Sequence, residues 1–131
     1  LQLIYQTYWG IRLLGQLSSG SAVLPWEHGT NHPTRILETC PAVLLRNLGE
    51  SNAGYKLKHG SDAVREALID AVLAKTGWTC APEVRAAAIA DREGDALDAV
   101  LAGLAAWRAS AADHTAIASR LHLLAEGHIY A

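Results

Sequence analysis

The sequence predicts an α/β domain that is mostly helical and holds at least one buried strand. Three observations carry this. Apolar residues recur at helical spacing over several long stretches, such as Val64, Leu68, Ala71 and Val72, which with Lys75 mark one side of residues 61–75. One short, partly β-branched segment, Thr34-Arg35-Ile36-Leu37-Glu38-Thr39, is bounded by Pro33 and Pro41 and reads as a strand. A hydrophobic share of 50% against 18% charged, over 131 residues, is enough for one domain with a core.

The same figures exclude several classes. A disordered chain would be poorer in apolar residues and richer in charge. A basic nucleic-acid arm is excluded because Lys+Arg is 11 against Asp+Glu 13, a formal net charge of -2. No apolar run approaches a membrane span of roughly 18 residues. Cys40 and Cys80 stand apart without a CxxC partner, so no disulfide framework is expected and a reducing, cytoplasmic setting is the default. Met is absent and the chain opens inside an apolar stretch. The expectation is therefore a single domain over 1–131 that forms the C-terminal part of a longer one.

Leu3, Ile4, Tyr8, Ile11, Leu14 and Leu17 mark an amphipathic first helix with a weak point at Gly10. Residues 23–33 contain Pro25, Gly29 and Pro33 and read as irregular, with Leu24 and Trp26 tucked beneath. Pro41 suits the first turn of a helix running to about Leu48. Ser61 is an N-cap candidate, Asp62 suits the positive helix end and Gly77 ends the helix. A shorter helix runs from Pro82 to about Ile89, and an Ala-rich one from Asp95 to Ala109. Residues 110–125 read as helical again, followed by a trailing end. One strand among five or six helices needs partners for its backbone, and these are expected in a missing N-terminal part.

The acidic residues are the strongest candidates for chemistry. Glu38 lies on the strand, while Asp95 and Asp98 stand three apart at a helix start and face the same way. Asp91, one turn earlier, can join them. Mg²⁺ or Mn²⁺ takes such oxygen ligands, with one or two carboxylates beside water and substrate phosphate. For Asp95, complementing the helix dipole is a sufficient reason to be there. Asp98 has Leu101, Ala102 and Ala105 at helical spacing and so needs a partner. Glu38, on an expected interior strand, has the same need.

The remaining motifs are plainer. His28 and His32 are four apart but flank Gly29 and precede Pro33, which argues against a helical zinc pair. His122 and His128 are isolated. Ser18-Ser19-Gly20-Ser21 lacks the lysine and the setting of a phosphate loop. Tyr55, Lys56, Lys58 and His59 form a local basic and aromatic cluster that can meet a phosphate or simply be solvated.

Arg35-Ile36-Leu37-Glu38-Thr39-Cys40-Pro41-Ala42, then Tyr55-Lys56, then Asp95-Ala96-Leu97-Asp98-Ala99 and Glu126-Gly127-His128-Ile129-Tyr130 occur in an order that resembles a known family. It is the C-terminal half of the predicted RNase H-like nucleases, catalogued as domain of unknown function 429 and similar to RuvC-type resolvases. The resemblance implies an RNase H-like fold and metal-dependent phosphodiester hydrolysis. Two ions about 3.5–4 Å apart would clamp the scissile phosphate and activate water. Glu38 would bridge or flank them, Asp95 and Asp98 would ligate one, and Lys56 would steady the phosphate. It also implies an Asp-bearing first strand, which this sequence lacks, so the parent rather than this chain is the expected catalyst. The expected partner is a nucleic acid, with no membrane, and with a homo-oligomer or the missing N-terminal segment completing the fold. The rival readings are a binding or scaffold module without metal, and a helical interaction domain docking through residues 1–17.

Overall fold

A computed structural model of the chain describes residues 2–17, 20–27, 29, 31–56, 61–120 and 128–131, with backbone alone for 2–7. His28, Lys58, His59 and His122, the Ser18-Ser19 step and the Glu126-Gly127 step lie outside the described residues. The chain divides into two compact units. One comprises Leu1–Glu38 with Asp113–Ile129, the other Thr39–Ala112 with Tyr130–Ala131.

The first unit opens with α1 (Gln2–Leu17), which runs unbroken through Gly10. Tyr8, Trp9, Ile11, Leu13, Leu14 and Leu17 are exposed on it. Tyr8 and Trp9 meet edge to face, and the Arg12 guanidinium lies 5.9 and 5.1 Å from their ring centroids. β1 (Ser21–Val23) follows and pairs in parallel with β2 (Thr34–Ile36), Ala22 opposite Arg35.

That pairing corrects the sequence reading. The expected strand found its partner within this chain, in residues 21–23, where the sequence predicts no strand. β1 escaped notice because three residues between Gly20 and the cis Leu24–Pro25 bond are too few to show alternation. The expected burial also falls elsewhere. Ser21 and Ala22 of β1 are buried, while Thr34 and Arg35 of β2 are exposed. Leu24 is buried as expected, but Trp26 is not.

The predicted strand is also interrupted at Leu37. Its second part is β3 (Glu38–Thr39), which pairs with β4 (Ile129–Tyr130) in another two-stranded sheet. The division between the units falls within both strands. Of the region expected to be helical over 110–125, α6 (His114–Ala118) is the described helix. Asp113 caps it by accepting from the Ala116 amide at 2.9 Å. His128 is partly buried, and desolvation, followed by the charges of Arg120 and His114, holds its ring below the usual histidine range.

The second unit is a small helical core. α2 (Pro41–Asn47) starts at Pro41 and buries Leu44 and Leu45. α3 (Asp62–Thr76) is capped by the Ser61 hydroxyl, which accepts from the Val64 amide, and ends at left-handed Gly77. It buries Leu68, Ile69 and Val72. α4 (Pro82–Ala90) buries Ala88, whose small side chain permits close approach. α5 (Asp95–Ala109) is the central helix and buries Leu97, Val100, Leu101, Leu104, Ala105 and Ala109. It packs on α4 and on α2, while α3 packs on α4.

Polar links cross these packings. Arg85 of α4 reaches Glu66 and Asp70 of α3, both at 2.9 Å. Lys75 at the end of α3 pairs with Glu50 at 2.5 Å and donates to the Leu48 carbonyl at 2.7 Å. No described helix is long and apolar enough to cross a membrane.

Because Leu104 is fully buried in this core, Leu104→Ala is expected to lower unfolding free energy by about 2–5 kcal/mol in urea denaturation. Ser61→Ala, which removes only a cap, is expected to cost about 1 kcal/mol.

Candidate functional site

The start of α5 gathers the chemistry of the second unit. Helix entry requires Gly94, whose φ of +79° lies in the left-handed region. A side chain there would also meet its neighbours, since a Cβ would stand 2.8 Å from Lys56 Cγ and 3.3 Å from Tyr55 Cδ2. Asp91 then caps the helix from outside. Its carboxylate accepts from the Ala96 amide at 2.8 Å and the Glu93 amide at 3.1 Å. The Ala96 bond leads the effects that hold the Asp91 carboxyl below its usual range. Asp91 is therefore a capping group and does not join Asp95 and Asp98, as its position in the sequence suggested.

Asp95 and Asp98 occupy the first turn that follows. The Asp95 side chain is 84% exposed and that of Asp98 only 29%. Asp98 has the partners its apolar neighbours demanded. Tyr55 Oη donates to its Oδ1 at 2.7 Å, and Lys56 Nζ donates to its Oδ2 at 2.5 Å. The same ammonium stands 3.7 Å from Asp95 Oδ1. One positive charge thus serves both carboxylates, and a consecutive Tyr-Lys pair engages both oxygens of Asp98.

This arrangement changes the reading of the 55–59 cluster. Its described members are not simply solvated. Tyr55 is buried in the hydrophobic core and Lys56 is partly covered. Burial, followed by the Asp98 bond and charge, pushes the Tyr55 phenol well above its usual range. The Asp98 bond, partly opposed by desolvation, raises Lys56. The turn is in turn held by Arg65 of α3, at 1% exposure the most deeply buried charged group described. Its Nη1 donates to the Tyr55 carbonyl at 3.1 Å, its Nε to the Ile89 carbonyl at 2.6 Å, and its Nη2 to Asp62 at 2.6 Å.

Glu38 belongs to the first unit. It is exposed on β3, which corrects the expectation of a carboxylate on an interior strand. β3 is only two residues long, and Thr39 beside Glu38 is itself only half-buried. Among the described residues no group of three or more His, Cys, Asp or Glu side chains is gathered to hold a metal. Cys40 and Cys80 are free thiols, and Cys40 occupies the N-cap position of α2. Sequence reasoning singled out Asp95, Asp98 and Lys56, which the structure brings together, but not Arg65 or Gly94. The signal for Gly94 was its place just before a helix-opening acid. Arg65 gave none, because an arginine at helical spacing reads as a solvated face.

Gly94→Ala is expected to cost about 1–2 kcal/mol from its left-handed backbone alone, and more from displacement of Lys56. A parallel fall in unfolding free energy is the check. The raised Tyr55 and Lys56 values also set an alkaline limit. Both groups keep their protons longer in the folded state, so their contribution is complete below about pH 10 and is lost as pH climbs through the folded values. Denaturation curves from pH 8 to 11 are expected to show this decline, and Tyr55→Phe is expected to make it shallower.

Comparison with known proteins gives a family match for the sequence. No curated protein and no solved structure matches the chain. Residues 11–120 match the family described as Protein of unknown function (DUF429). That match spans Glu38, the Tyr55-Lys56 pair and the Asp95–Asp98 turn, and the chain belongs to the DUF429 family.

Proposed function

We propose that this chain carries part of the active site of a metal-dependent nuclease of RNase H-like type, with Asp95, Asp98 and Glu38 as its acids and Lys56 as its phosphate contact. The observation that carries the reading is the convergence of two helix-start carboxylates, one turn apart, on a single cation. Such a pair offers hard oxygen donors, and Asp95 is open to solvent. Mg²⁺ or Mn²⁺ would suit it once the Lys56 ammonium moved off Asp98 Oδ2, because Mg²⁺ commonly takes one or two carboxylates and completes its shell with water and substrate phosphate. A bound divalent ion would supply Lewis acidity and a water of lowered pKa.

The chain's own residues then have defined tasks. Tyr55 holds one oxygen of Asp98 in place through its buried phenol, leaving the carboxylate little rotational freedom. Lys56 carries its ammonium on a stem packed over Gly94, within reach of a phosphate oxygen near the two acids. Glu38 is retained as the third acid on the strength of the family resemblance alone. A second reading, a helix-docking module, is favoured by the row of exposed apolar side chains on α1. Light scattering coupled to size exclusion tests it, with a concentration-independent monomer as the contrary result.

For the nuclease reading, Mn²⁺ or Mg²⁺ is expected to raise the melting temperature of the chain. At about 100 times the dissociation constant the gain is about 2.7 kcal/mol. Asp98→Asn is expected to abolish the rise and Glu38→Gln to reduce it. Metal-dependent cleavage of labelled single-stranded and duplex oligonucleotides by a chain extended with the Asp-bearing first strand that the family resemblance implies would then identify the substrate. No melting shift with either metal, in any of the three proteins, would remove the basis of this reading.

A further inference from the structure

We infer that Arg65 is the positioning residue of the Asp95–Asp98 cluster: its guanidinium fixes the Tyr55-Lys56 turn and so sets how Lys56 is held on Asp98. The inference rests on taking that cluster as the functional site. A buried guanidinium is costly unless its donors are used. The ion pair with Asp62 does not account for the burial, because Asp62 is 73% exposed and could meet an arginine at the surface. The other two bonds go inward, to backbone carbonyls on separate stretches of chain.

Those two stretches are the ones that meet at Asp98. The Tyr55 carbonyl belongs to the residue whose phenol binds Asp98 Oδ1, immediately before the lysine that binds Oδ2. The Ile89 carbonyl lies two residues before Asp91, which caps α5. One planar group therefore fastens the turn that carries Tyr55 and Lys56 and the segment that launches Asp95 and Asp98. A rigid fork of donors can bond both carbonyls and Asp62 at once, whereas a lysine offers a single nitrogen. The Arg65 guanidinium bonds to Tyr55, Ile89 and Asp62 rather than to Asp95 or Asp98, so it acts through Tyr55 and Lys56.

Acylation of Lys56 by a water-soluble N-hydroxysuccinimide ester, mapped by peptide mass spectrometry with Lys75 as internal reference, reads this directly. It uses the full chain without metal or substrate, so its outcome is independent of whether the protein cleaves a phosphodiester. Loss of the charge-assisted bonds in Arg65→Met is expected to speed Lys56 labelling about tenfold. Arg65→Lys, which keeps the charge but not the fork, is expected to give about threefold. Asp62→Asn, which touches the exposed partner, is expected to stay within about twofold of the native chain. Leu104→Ala, studied at matched residual stability, is expected to label Lys56 at the native rate. Native labelling in Arg65→Lys, or equal acceleration in Leu104→Ala and Arg65→Lys, overturns the assignment. Should Arg65→Met fail to fold, the Arg65→Lys comparison decides alone.

Discussion

The second unit is organised by a charge balance at the start of α5. A helix N-terminus accepts negative charge readily, and Asp91, Asp95 and Asp98 all lie at or before the first turn. Three acids so close need different outlets. Asp91 spends its carboxylate on helix amides, Asp95 faces water, and Asp98 is covered and takes Lys56 and Tyr55. Once Asp98 is covered, the turn over it must lie flat against the helix entry. Only a residue without a side chain allows that, and Gly94 supplies it.

The helices were legible because their signals are local. Ser61, Gly77, Pro41 and Pro82 punctuate the second unit where the sequence places its helix ends. Asp95–Ala109 matches the predicted helix end to end. The strands were poorly legible for the opposite reason. β1, β3 and β4 span two or three residues each, too short for alternation to appear, and they exist because a distant partner supplies hydrogen bonds. The predicted strand at 34–39 was right in kind and wrong in burial, since β-branching reports strand tendency and not which side meets the core.

The candidate site divides along the same line. Asp98 could be singled out because its helical neighbours are apolar, and its need for a partner follows from the cost of an unpaired buried carboxylate. Which groups answer that need is set across more than forty residues of chain, from Tyr55 and Lys56 to Asp98. Arg65 illustrates the limit further. Its burial depends on two carbonyls that no side-chain pattern records.

The amino-acid order by itself determined the helical segments, their caps and the spacing that puts Asp95 and Asp98 on one turn, because these depend on residues within a few positions of each other. The tertiary structure alone decided that Lys56 bridges those two carboxylates, that Asp91 turns back to cap, that Glu38 stands exposed, and that an arginine sits in the core. Each of these depends on which distant groups desolvation and hydrogen bonding bring together, and such pairings have no local signature.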